Sequence, residues 1–343
     1  MRAVVITEHG EPDVLAVQDR PDPPVGPRDV RIEVKAAGIN FADLLARSGM
    51  YPDAPKPPCV VGYEVAGVVE SVGADVDAFS AGDRVFGGSQ FNGYAELVCA
   101  DQDDVLALPD DLSFEQGAAI PVNYATAYAG LMIMGGMRAG DRVLLHAAAG
   151  GVGVAGSQIA RNVGAEVFGT ASPSKHDAIR EHGVAHPIDY RGDDFERVVS
   201  ELTDGEGIDI AMDAIGPSSF RKDYRLLRPG GRLICFGLSE VQTGTGRNIP
   251  GLLKGLAGMT TATMPWWKSL AIMNENKGVF GLNMLSWWKT EGNISRAIEP
   301  LADDFAAGRL GPVVAEAFPF DRAADAHRFI HDRKNIGKVV LTP

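Results

Sequence analysis

The rhythm of apolar and polar positions changes once along the chain, near residue 122. Before that point the apolar runs are short and bounded by Pro and Gly. Val30-Arg31-Ile32-Glu33-Val34 alternates with period two, as a half-buried strand does. Met1 to Ile6, Val14 to Val17, Val65 to Val72, Gly82 to Phe86 and Tyr94 to Val98 carry related signals, and Arg20 to Pro27 reads as an extended proline-rich link. The pattern predicts an all-β region of about 120 residues. Beyond it, strand-like and helix-like runs alternate. Ile208 to Asp213, Gly231 to Gly237 and Val279 to Leu282 look like buried strands, and a doubly wound parallel sheet follows. Ile294, Ala297, Ile298, Leu301 and Phe305 predict one amphipathic helix. The tail from Val313 to Leu341 returns to strand–helix–strand texture and is expected to pack back on the first region. Residues 239–248 read as a polar, glycine-bearing loop. Leu252 to Trp267 are apolar without an assignable period.

One stretch organises the rest. Arg142 to His146 reads as a buried strand, and Ala147-Ala148-Ala149-Gly150-Gly151-Val152-Gly153 as a close backbone turn. Val152, Ala155, Ile159 and Val163 then share a helical face, and Val167 to Thr170 form a second strand. This βαβ unit presents bare N–H groups at a helix N-terminus, where a pyrophosphate sits. The glycine pattern is Ala148-x-Gly150-x-x-Gly153, with alanine in the first place. Its strand-before, helix-after context marks a dinucleotide site. NAD-binding versions carry an acid at the end of the second strand. Here that corner is Thr170-Ala171-Ser172-Pro173-Ser174-Lys175, without an acid. Hydroxyls and a cation suit a 2′-phosphate, so NADPH is the expected cofactor, with Ser172 and Lys175 as contacts. The alternative for Lys175 is a solvated surface lysine.

Composition narrows the partners. The chain has 343 residues, enough for about two domains, and a formal net charge of −13, which disfavours nucleic acid and anionic membranes. Cys59, Cys99 and Cys235 are scattered and odd in number, so no disulfide framework is expected and a reducing, cytoplasmic setting fits. Residues 117–137 carry no charge, yet Pro121, Asn123, Tyr124, Thr126 and Tyr128 interrupt the run, which reads as a helix buried between two domains rather than a membrane span. The N-terminus reads as a strand rather than a signal peptide. The seven histidines show no metal spacing.

Over its whole length the chain resembles the medium-chain dehydrogenase/reductase superfamily, and its zinc-free quinone oxidoreductase branch best. Ala36 to Asp43 with Arg47-Ser48-Gly49-Met50-Tyr51 is similar to that branch's opening motif, and His146 to Gly153 to its phosphate loop. Met273 to Lys277 and His331 to Lys338 are similar to synaptic-vesicle amine-transport-type proteins within the branch. The resemblance implies an α/β fold: a GroES-like β domain from 1–122 and 283–343, and a Rossmann-type domain over 123–282. It implies the nicotinamide in the cleft between them and a homodimer with the strand near Phe280 pairing across the two-fold axis. Zinc enzymes of the superfamily have a Cys where Asn40 stands and a His where Tyr63 stands. Asn40 and Tyr63 are poor zinc ligands, and Cys99 stands alone where those enzymes carry a four-cysteine lobe, so no metal is expected and Glu64 reads as a structural carboxylate.

Without zinc, alcohol oxidation lacks its Lewis acid, whereas an electron-poor acceptor can take a hydride given one or two hydrogen bonds to the forming oxyanion. The family pattern implies Asn40 and Tyr51 for that role, with Tyr63 a weaker third. Asn40 reads equally as a helix N-cap, and the two tyrosines as packing residues. Leu45 stands where the branch often has a tyrosine, which makes the pocket less polar. By resemblance Thr126 touches the nicotinamide half, and Thr170 and Tyr190 the adenosine end. Ala149, Gly150, Gly151, Val152 and Gly153 line the phosphates, and Gly237 and Phe280 border the nucleotide. Tyr190 reads equally as a surface tyrosine. The pairs Trp266-Trp267 and Trp287-Trp288 are expected to pack in core and dimer interface, with an apolar lid over a lipophilic acceptor as the alternative. The leading reading is an NADPH-dependent reductase of quinones or related enones. An alkenal or enoyl thioester double-bond reductase and a nucleotide-binding interaction protein are its rivals.

Overall fold

In a computed structural model of the protein, residues 1–240 and 269–343 are described. The 239–248 loop beyond Glu240, the apolar stretch 252–267 and the Trp266-Trp267 pair lie outside the described residues. Two compact units emerge. One comprises Met1–Ala125 and Met284–Pro343, and the other lies within 126–283.

The first unit is built on β3 (Asp29–Ile39), whose alternating residues Val30, Ile32 and Val34 are buried. The strands before it, β1 (Arg2–Ile6) and β2 (Leu15–Asp19), pair with each other in a small sheet that β4 (Cys59–Val60) completes. In the larger sheet β3 pairs with β5 (Glu64–Val72), which leads on to β6 (Arg84–Gly88) and β8 (Val105–Ala107). β7 (Leu97–Asp101) also pairs with β3, three residues later than the Tyr94 to Val98 run suggested. Two strands from the far end of the chain, β15 (Val314–Pro319) and β16 (Lys338–Thr342), close the other side, with Val340 opposite Gly38. Ile6, Ile32, Leu44, Val65 and Leu341 share one core. Each such side chain contributes about 1.5–3 kcal/mol on burial. The tail therefore does pack on the first region. The single helix expected over 294–305 does not form. Two 3-10 turns, Ser295–Ala297 and Glu299–Leu301, precede a short α-helix at Ala302–Ala306. Pro300 has no N–H to continue an α-helix, yet Ile294, Ala297, Ile298 and Leu301 remain buried. Trp288 is buried, its ring packed where a side chain on Gly88 would lie.

The second unit holds a six-stranded, wholly parallel sheet: β9 (Arg142–Leu145), β10 (Glu166–Ala171), β11 (His186–Asp189), β12 (Ile208–Asp213), β13 (Leu227–Cys235) and β14 (Gly278–Gly281). Its spatial order is β11-β10-β9-β12-β13-β14. The order reverses beside β9, which makes the C-terminal end of β9 the switch point where such sheets bind ligands. Leu144, Phe168, Ile188 and Leu233 share its core. The charge-free stretch 117–137 forms a helix at Pro121–Tyr128 that continues into a π-helical turn at Ala129–Met134. No described helix is long and apolar enough to cross a membrane.

Candidate functional site

The turn after β9 is shaped by what its residues lack. Ala147 takes a left-handed φ of 52°, and Gly150 opens the helix Gly151–Val163 with no side-chain cap. The first-turn amides of Gly151, Val152 and Gly153 have no partner within the helix, and the helix dipole makes that end positive. A Cβ on Gly153 would lie 2.5 Å from the Ala147 carbonyl oxygen, so only glycine lets helix and turn approach. A Cβ on Gly150 would meet only that oxygen, at 3.3 Å, and the space above stays open to a ligand. The alanine in the first motif place is accommodated from across the sheet. A side chain on Gly169 would meet the Ala148 methyl at 2.9 Å, so the missing bulk has moved to β10. Ala148 donates its N–H to the Thr170 carbonyl at 3.0 Å, and Ala149 is buried. These features fit a diphosphate group at the turn.

Beneath the turn lies a buried polar network. His146 Nδ1 meets Thr170 Oγ1 at 3.1 Å and Nε2 meets Asp223 Oδ1 at 2.9 Å. Thr170 Oγ1 also accepts the Ala147 N–H at 3.2 Å. Burial works against a charge on His146, but Asp223 and Asp213 overcome it and raise the imidazole to about 9. Burial pushes the Asp213 carboxyl well up, against the His146 charge. Among the described residues these are the one trio whose potential metal-ligating atoms lie within 4.8 Å of one another. Both imidazole nitrogens already face protein partners, and the network braces the turn from below. Thr170 thus works from inside, with its side chain buried, rather than as an exposed contact.

Several of the other residues expected on the cofactor side, Ser172, Tyr190, Gly237 and Phe280, lie at or beyond the C-terminal ends of strands of the same sheet. Ser172 follows β10 and caps a short 3-10 turn, Pro173–Lys175, with its hydroxyl 3.5 Å from that of Ser174. Tyr190 follows β11, and the pairing of Ala171 with Asp189 puts the two strand ends side by side. The Arg191 guanidinium lies 5.6 Å from the Tyr190 ring centroid. Sequence reading passed over Arg191, although its place beside a candidate tyrosine at a strand end was a usable signal. Gly237 follows β13, where a side chain would meet Ala214 at 2.7 Å. Phe280 lies on β14 and is exposed. Thr126 is buried in the helix Pro121–Tyr128.

In the first unit, Asn40 stands between β3 and the helix Phe41–Ser48. The Asp43 carboxylate accepts the Asn40 backbone N–H at 2.8 Å, and the Gly62 N–H and Tyr94 hydroxyl as well. Burial raises Asp43 to about 7 despite those hydrogen bonds. Asn40 is the N-cap of this helix and forms a reciprocal capping box with Asp43. Its Nδ2 donates to Glu64 Oε1 at 2.9 Å, and its Oδ1 accepts from Lys338 Nζ at 2.6 Å. Lys338 also pairs directly with Glu64, and both side chains are almost wholly buried. Glu64 Oε2 takes the Val122 N–H at 2.7 Å. Every Glu64 oxygen is therefore engaged within the protein. Lys338 escaped the sequence reading because it opens an apolar strand run; a lone cation on a core strand was the available hint.

Tyr63 is buried, with the Tyr51 ring edge-on at 6.5 Å and the Phe91 ring at 5.1 Å. Burial, then Asp43 and Tyr51, hold the Tyr63 phenol far above its ordinary range, so it stays neutral. Phe91 and Asn92 both adopt positive φ, at 75° and 66°. Such backbone strain in a bulky residue collects at functional sites, and no sequence pattern announced Phe91. Leu45 is half-buried on the Asn40 helix.

Comparison with known proteins agrees with this geometry. The alcohol dehydrogenase GroES-like domain family matches residues 26–110, and a zinc-binding dehydrogenase family matches residues 182–341. The synaptic vesicle membrane protein VAT-1 homolog of Rattus norvegicus is 37% identical, over 100% of this chain and 84% of its own length. Escherichia coli quinone oxidoreductase, solved in complex with NADPH, is 28% identical with a TM-score of 0.84, covering 100% of both chains. CurK enoyl reductase is 28% identical with the same TM-score of 0.84, covering 99% of this chain and 98% of that one. The chain belongs to the medium-chain dehydrogenase/reductase superfamily, in its quinone oxidoreductase-like branch.

Proposed function

We propose that the protein is a zinc-independent reductase that passes hydride from NADPH to a quinone or a related electron-poor carbonyl compound. The observation that carries this reading is the Asn40 corner. Where the zinc enzymes' pattern has a cysteine, this chain has a carboxamide held by Glu64 and Lys338. When bound, the cofactor supplies a hydride. The amides of Gly151, Val152 and Gly153 bind its diphosphate, with Ala149 and Gly150 shaping the approach. Ser172, Lys175 and Tyr190 take the adenosine end, Lys175 matching the 2′-phosphate charge, while Thr126, Gly237 and Phe280 border the nucleotide. Thr170 contributes by holding the turn. On the acceptor side Asn40 Nδ2 and the Tyr51 hydroxyl donate to the oxygen on which charge develops, and Tyr63 walls the pocket as a neutral phenol. A quinone spreads incoming charge onto its own oxygen and requires no Lewis acid. One quinone, one NADPH and one proton from solvent give hydroquinone and NADP+. A homodimer paired along β14, an edge strand of its sheet among the described residues, belongs to the same reading.

The test is oxidation of NADPH by the purified protein with 1,4-naphthoquinone in the presence of a zinc chelator. Tight NADPH binding with no turnover on any quinone or enone overturns the reductase reading and favours a binding protein. The likeness to CurK enoyl reductase favours one second reading, reduction of an enoyl thioester. Product analysis separates the two, hydroquinone against a saturated thioester.

A further inference from the structure

The corner around Lys338 is built to one end. Gly337 turns the chain with φ +83°, and a side chain there would strike the Val313 carbonyl oxygen at 2.3 Å. The tight turn starts β16 with Lys338 facing inward, 3% exposed. On the partner strand, a Cβ at Gly38 would lie 2.7 Å from Glu64 Oε1 and 2.6 Å from the Ala118 carbonyl oxygen. Glycine there leaves room for the carboxylate. The ammonium, the carboxylate and the Asn40 amide then meet in one place.

Lysine can only donate and a carboxylate can only accept. Lys338 therefore requires the oxygen of the Asn40 amide, and Glu64 requires its nitrogen. The amide has one orientation, whereas between two neutral neighbours it could flip. Glu64 takes one Nδ2 hydrogen, and no described residue engages the second. Asn40 is half-buried, so that hydrogen is within reach of a ligand. The ammonium also polarises the amide through its oxygen, which strengthens the remaining N–H as a donor.

We propose that Lys338 is a positioning residue: with Glu64 it locks the Asn40 carboxamide so that the second Nδ2 hydrogen is presented to the carbonyl oxygen of the acceptor. This rests on the reductase reading above and names the device by which a chain lacking the zinc-ligand pattern steadies the developing oxyanion.

Lys338→Met alone leaves a buried carboxylate unpaired and can unfold the unit. Lys338→Met/Glu64→Gln removes both charges, and the neutral amide introduced at position 64 accepts either orientation of Asn40. Lys338→Arg keeps the donor-only partner. With 1,4-naphthoquinone, kcat of the double variant is expected to fall about tenfold or more, with the KM for NADPH within about twofold of wild type and Lys338→Arg restoring most of the rate. Independently of turnover, the infrared carbonyl stretch of 1,4-naphthoquinone is read on the protein holding NADP+, where no hydride is available. It is expected at lower frequency on wild type and Lys338→Arg than on the double variant. An equal stretch in all three, or no shift from free quinone in wild type, overturns the proposal. So does an unchanged kcat in a folded double variant. Failure of the reductase reading shows differently, as a wild-type protein that shifts the carbonyl stretch but never turns over.

Discussion

His146 illustrates how much of a residue's task is set by what surrounds it. In the sequence it is the last polar residue of a strand. In the fold it is a buried cation between Thr170 and Asp223. Its pKa is raised on folding, so the folded state binds the proton more tightly than the unfolded chain. The associated stability is fully present below about pH 6.5 and is lost as pH rises through about 9. On the order of 3 kcal/mol is at stake. Urea midpoints should therefore fall more between these pH values in wild type than in His146→Gln, and parallel curves would remove the imidazolium from this account. The residue scale is also where sequence reading reached least. Asn40 and Tyr51 came forward as candidates from a local motif, and Tyr63 from its place at a zinc-ligand position. Glu64 was legible only as a structural carboxylate. Its partner Lys338 lies 274 positions away, and no local pattern joins the two. Phe91 was missed because a left-handed φ leaves no compositional trace when a non-glycine residue adopts it.

Among the elements, the turn after β9 makes a contrast between two glycines that resemble each other in sequence. Gly153→Ala forces a methyl against the Ala147 carbonyl oxygen and should cost about 1–3 kcal/mol of stability. Gly150→Ala meets only the Ala147 carbonyl oxygen, at 3.3 Å, which a shift of a few tenths of an ångström relieves, so the variant should lose less stability than Gly153→Ala yet bind NADPH about tenfold more weakly. Calorimetry and fluorescence titration of both variants check the pair; equal binding by Gly150→Ala and wild type would move the diphosphate elsewhere. At the end of β10, Lys175→Ala should raise the Kd for NADPH about tenfold or more and leave NADH nearly unchanged. Equal weakening of both coenzymes would refute a 2′-phosphate contact. The strands and this βαβ unit were readable because each is local and apolar. The helix expected over 294–305 was misread because spacing alone outweighed Pro300 in the inference. The Ala148 substitution in the glycine motif became intelligible only with Gly169 beside it, a relation that exists across strands and not along the chain.

For the whole molecule, the architecture was legible because periodicity changed where one kind of sheet gave way to another. Assembly was less so. Among the described residues β14 ends the parallel sheet, Phe280 on it is 41% exposed, and Leu270 and Met273 on the preceding helix Ser269–Glu275 are exposed as well. An apolar strand edge of this kind invites a second copy. Light scattering should give twice the chain mass of 36.4 kDa for wild type and one chain for Phe280→Lys; a wild-type monomer would remove the dimer from the proposal.

The pairing of β16 with β3 has a consequence for biosynthesis. The strands of the parallel sheet, β9 to β14, all lie between residues 142 and 281, so that sheet can form while translation continues. The first unit must wait for Lys338, which is made 274 residues after the Glu64 it pairs with. A chain stalled before β16 would therefore carry Glu64 and Asn40 without the ammonium that meets them both in the folded unit.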